Sequence, residues 1–124
     1  MANQDYDTLI AFLTDKHGKI IEAERIAYEK LKGGDKDEYL KKMREKAMIL
    51  ADLSRECEPA LANLPPDKRE KISEETKRFS VSAATALNLD SSFYMAALLY
   101  RDNHKDGEPD NLYVFIEDLK NDKI

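Results

Sequence analysis

An all-α fold is predicted for this chain, an antiparallel bundle of four to five helices beginning with a long helical hairpin. Three observations carry the prediction. At about 100° per residue, Tyr6, Leu9, Ile10, Leu13, His17, Ile20, Ile21, Glu24, Ala27, Tyr28 and Leu31 fall within roughly one third of a helix circumference. Gly33-Gly34-Asp35 then interrupts the pattern before a second apolar face begins. The composition, 42% hydrophobic and 36% charged with no Trp, favours helix over sheet.

The first helix is expected from about Tyr6 to Lys32, because glycine just past the last turn is the usual C-terminal stop. Asp35, with Glu38 three residues on, reads as a capping box opening the second helix. That helix shows Tyr39, Leu40, Met43, Ala47, Leu50, Ser54 and Cys57 on one face, with Leu61 and Leu64 continuing it. Pro59 should kink or end it, since proline lacks a donor and crowds the preceding turn. Two long helices joined by so short a turn must run antiparallel.

Pro65-Pro66-Asp67 marks a third helix, expected to reach about Leu87, because proline is well placed in a first turn. Its face is Ile72, Thr76, Phe79, Ala83 and Leu87, with Ser80, Ser82, Ala84 and Ala86 keeping the surroundings small. Asn88 to Ser92 reads as a break with a new cap, although a helix continuous through residues 88–92 fits the pattern too. Phe93 to Arg101 should be helical, and Phe93 to Tyr100 is apolar all round, which demands burial on more than one side. Asp102 to Asp110 is a polar loop. A last helix from about Asn111 to Asn121 would bury Leu112, Phe115, Ile116 and Leu119; residues 112–116 could instead form a strand, which has no obvious partner.

A length of 124 residues suits one domain spanning the whole chain, residues 1–124. Interspersed charges and a net charge of −5 argue against nucleic acid as a partner. No apolar run approaches the roughly 20 residues that span a bilayer, and the start of the chain lacks the features of a signal peptide. Cys57 is alone, so a reducing, cytoplasmic setting is expected.

His17 and Glu24 lie two turns apart on the centre line of the first stripe. At about 10 Å separation along the axis they need a shared ligand or partners on other helices. Either they form a buried polar pair that fixes register, the favoured reading, or they centre a metal- or small-ligand-binding site. Known chemistries do not fit. No Glu is followed three residues later by His, as in di-iron bundles, and no Glu-x-x-Glu or Glu-x-x-Asp pair suits a magnesium-dependent pyrophosphohydrolase. His17-Gly18-Lys19 departs from the phosphotransfer order, in which Lys follows an exposed His by three residues. The loop from Asp102 begins like a calcium loop but carries Tyr113 where the bidentate Glu should stand. Cys57 reads as a small core residue, and Gly33-Gly34-Asp35-Lys36 as a turn. No cofactor, no metal and no catalytic residue is therefore expected, and an enzyme is disfavoured.

What remains is surface. Six tyrosines suit partner contacts, and the C-terminal stretch from Asp102 holds seven acidic residues against three lysines. A non-catalytic protein-interaction module is expected, seating an amphipathic helix in an apolar groove formed by Tyr94, Met95, Leu98, Leu99 and Tyr100, with Tyr28 and Tyr39 flanking the first turn. The partner would be another protein or a second copy in a homodimer. The stretch from Glu22 to Leu50, with Leu31-Lys32-Gly33-Gly34-Asp35 and Glu45-Lys46, resembles flagellar and type III export chaperones over less than half the chain. That resemblance implies a non-enzymatic chaperone presenting an apolar groove to a partner helix.

Overall fold

A computed structural model describes residues 4–101 and 104–124, so the first two residues of the calcium-like loop, Asp102 and Asn103, lie outside the described residues. Five helices are present among the described residues: α1 (Gln4–Lys32), α2 (Lys36–Leu61), α3 (Pro66–Asn88), α4 (Ser92–Ala97) and α5 (Asn111–Lys120). They form an all-α bundle that begins with a hairpin of the two longest helices.

The turn signals act through hydrogen bonds. Gly34, at φ 84°, lets the Asp35 N–H reach the Lys30 carbonyl and its own N–H reach that of Leu31, closing α1 in a Schellman motif. Asp35 then caps α2 through its side chain, accepting from the Glu38 N–H at 3.1 Å. Asp90 (φ 51°) and Asp122 (φ 56°) end α3 and α5 with the same pair of bonds, so helix 3 is not continuous through residues 88–92. Ser91 and Asp110 cap α4 and α5 by accepting from Tyr94 N–H and Tyr113 N–H.

One expected helix boundary is corrected, and two alternatives left open are decided. Pro59 does not end α2, which runs two residues further to Leu61. Pro59 sits in the last turn, and it and Arg55, whose carbonyl loses a rung, are both exposed to water. The helix expected to reach Arg101 stops at Ala97, because Leu98 turns extended (ψ 138°) and Leu99 enters the left-handed region at φ 76°. Residues 112–116 are helical, as a strand there would leave Asp110 without an end to cap.

α2 is the central element: α1 and α3 pack along it, α4 rests on α2 and α3, and α5 rests on α1. The fourth corner of the bundle is thus shared by two short helices that lean opposite ways. The larger core joins Leu9, Leu13 and Ile20 of α1 to Leu50 and Leu53 of α2, Ile72 of α3 and Leu112 and Leu119 of α5. A smaller cluster holds Ala27, Met43, Ala47, Ala86 and Met95. Small residues set the close α2–α3 approach. There the buried Ser80 hydroxyl donates to the Leu50 carbonyl at 2.8 Å and accepts from the Ser54 N–H at 3.0 Å, the two groups of a single α2 rung.

Candidate functional site

Because α4 is only six residues long and the chain bends sharply after it, the apolar segment 93–100 is distributed over several environments. Met95 points into the smaller core at 2% exposure, and Leu99 is buried at 7%. These two residues, expected on a partner surface, are core residues. Tyr94 stays outside, with Phe93 edge-on to it at 5.5 Å between ring centroids. Val81 and Leu89 on and just after α3 are also exposed, at 65% and 60%. Val81, Leu89, Tyr94 and Leu98 line one groove of about 600 Å³ between α3 and α4, with Leu99 and Tyr100 at its end.

Leu99 is the pivot of this surface. A left-handed leucine costs on the order of 1 kcal/mol or more. Burial of its side chain, and a 2.9 Å bond from the Asn111 N–H to its carbonyl, hold the conformation. The same bond ties the groove to the start of α5.

The polar pair of the first stripe is drawn to other helices. Glu24 of α1 accepts from the Lys46 ammonium of α2 at 2.8 Å and from the Tyr100 hydroxyl at 2.8 and 3.0 Å. Lys46 is wholly buried; it also donates to the Ala96 carbonyl at 3.1 Å and lies 5.0 Å from the Tyr100 ring centroid. Burial pushes the Lys46 ammonium below the usual lysine range, with Glu24 pulling the other way. Burial, and next the Glu24 carboxylate, push the Tyr100 phenol well above the usual tyrosine range. His17 does not reach Glu24. Its Nε2 donates to Asp110 Oδ2 at 2.8 Å, joining α1 to the cap of α5. Burial would raise the Asp110 carboxyl, but bonds from His17 and from the Tyr113 and Leu112 N–H groups outweigh it and leave it below the usual range.

Tyr28 and Tyr39 meet across the hairpin with their rings tilted at 48° and 6.1 Å between centroids, and neither lines the α3–α4 groove. Tyr28 instead faces Tyr100 and Tyr113 across a second cleft, roofed by residues 106–109. Cys57 is buried as a free thiol, raised chiefly by burial. No group of three or more potential metal-ligating side chains occurs among the described residues. No helix is long and apolar enough to cross a membrane.

Sequence reasoning missed Lys46, Asp110 and the exposed Val81 and Leu89. A signal for Lys46 existed: it lies three residues after Met43, four before Leu50 and seven before Leu53, on the buried face of α2. Asp110 stands just before the apolar run of α5, where a cap belongs. The fold and its buried polar network define a helical bundle with a surface groove. In comparisons with protein families, with curated proteins and with solved structures, nothing matches this chain.

Proposed function

We propose that this protein is a non-catalytic interaction module that seats an amphipathic helix of a partner in the α3–α4 groove. The single observation carrying the reading is the exposure of Val81, Leu89 and Tyr94 at 53–65% in the lining of one groove, with the exposed Phe93 ring against Tyr94 beside it. Side chains of this kind cost solubility unless something covers them. The resemblance of the hairpin to export chaperones is of the same kind. The partner is another protein or a second copy of the chain, since the net charge of −5 disfavours nucleic acid. A cytoplasmic setting accords with one buried free thiol.

Native mass spectrometry of gently purified wild type, beside the double variant Leu89→Lys/Tyr94→Lys, tests this reading. Both residues are exposed, so the variant keeps the fold. A bound polypeptide or a second copy on the wild type, absent from the variant, is the expected result. Equal occupancy in both, or a bare monomer in both, refutes the groove assignment.

A further inference from the structure

The divided fourth corner leaves a second opening, which shares only Tyr100 with the lining of the α3–α4 groove. Between α1 and the segment leading into α5 lies a cleft of about 750 Å³. Its walls are aromatic: Tyr28 from α1, Tyr100 and His104 from the connection, and Tyr113 from α5. The Tyr100 and His104 rings meet edge-on at 4.8 Å, and a bond from His104 Nε2 to the Glu108 carbonyl at 2.9 Å fixes the latter ring. Ile21 and Pro109 add apolar surface and Asp106 and Glu108 add acidic residues, while Asp110 is held by His17 and the Tyr113 N–H; no lysine or arginine lines the cleft among the described residues. Beneath the floor, Lys46 is neutralised by Glu24 in direct contact, so that pair presents no net charge upward. The groove between α3 and α5 is of comparable size but has a different character: Lys71 and Arg78 stand there among Glu74, Glu75 and Asp118.

Aromatic rings and carboxylates, with no lysine or arginine in the lining, are what an organic ammonium group selects, although one face of Tyr100 is already taken by Lys46. The ring quadrupole attracts the charge, the carboxylates set the sign, and apolar walls accept alkyl substituents. We infer that the cleft between Tyr28, Tyr100, His104 and Tyr113 is a binding site for an alkylammonium group. Among the described residues no ligand cluster for a metal ion occurs, and an anion would meet the exposed acidic residues Asp106 and Glu108.

The probe is choline, titrated in the millimolar range into isotopically labelled full-length protein and followed by proton–nitrogen correlation spectra. Its uncharged isostere, in which carbon replaces the quaternary nitrogen, serves as the control. Saturable shifts confined to residues 21–28, 100–101 and 104–113 with choline, and none with the isostere, are expected. Tyr28, half-exposed, is truncated without loss of the fold, and Tyr28→Leu should weaken choline about two- to fivefold. The paired change Asp106→Asn/Glu108→Gln, both on exposed positions, should weaken it further at low salt. Equal shifts from the isostere, or no saturable shift from choline in these segments, would overturn the inference. So would an unchanged affinity in a well-folded Tyr28→Leu variant.

Discussion

Replacing Lys46 by Met removes the charge while keeping most of the stem volume, and so isolates the electrostatics of the Glu24–Lys46–Tyr100 network. Lys46 is fully buried and Glu24 nearly so, and their atoms meet at 2.8 Å. Without its partner, the Glu24 carboxylate keeps only the Tyr100 hydroxyl, and breaking a buried pair in this way costs about 3–5 kcal/mol. At a urea slope near 2 kcal/mol per molar, that lowers the unfolding midpoint by about 1.5–2.5 M. It consumes much of the roughly 5–15 kcal/mol that holds a domain together. The double variant Glu24→Leu/Lys46→Met lacks both charges and should recover at least about 1 kcal/mol of that loss, short of wild type because the Tyr100 hydroxyl loses its carboxylate acceptor. Urea unfolding followed by circular dichroism gives all three values, and the cycle with Glu24→Leu gives the coupling. A Lys46→Met cost below about 1 kcal/mol, or a double variant no better than the single one, would refute a buried, ionised pair.

Four further outcomes follow from the geometry. Tyr100→Phe loses the hydroxyl bond to a charged acceptor and should cost about 1.5–3 kcal/mol by the same urea assay. The folded Asp110 carboxyl lies below its unfolded value of 3.8, so the unfolded chain binds the extra proton in acid. Asp110 therefore stabilises the fold above that value, the contribution is lost as pH falls through the folded pKa, and Asp110→Asn should flatten the acid limb of stability against pH. Ser80→Ala should cost no more than about 1 kcal/mol in thermal unfolding, because the Leu50 carbonyl and Ser54 N–H it bridges can close their own rung. Gly18, exposed within α1 with open space at its Cβ position, should accept Ala with a gain of about 0.5–1 kcal/mol in the same assay.

The fold was legible where one signal dominated. The α1 stripe placed Leu9, Leu13 and Ile20 in the core, and Gly34 supplied the left-handed residue that a helix stop needs. At Asp90 and Asp122 the same motif was harder to read, since aspartate enters that conformation less readily than glycine. Ile21, Tyr28 and Leu31 belong to the same stripe yet are about 40% exposed, because α5 is too short to cover that end of α1. Only long-range packing decides this. The partners of His17 and Glu24 were equally out of reach, as Asp110 and Tyr100 stand 93 and 76 residues away. Lys46 was the reverse case: its helical position marked it as inward-facing, but its chemistry argued for the surface.

The ten residues of α5 fall short of the roughly 12–15 that sustain an isolated helix in water. Their helicity is therefore borrowed from the body beneath: Leu112, Phe115, Ile116 and Leu119 coil only while seated, and the Asp110 cap is fixed only while His17 holds it. Amide exchange across this segment consequently clocks detachment from α1, not fraying of a helix. Release of the segment would uncover the apolar side of α1 and the Phe79 ring of α3 together.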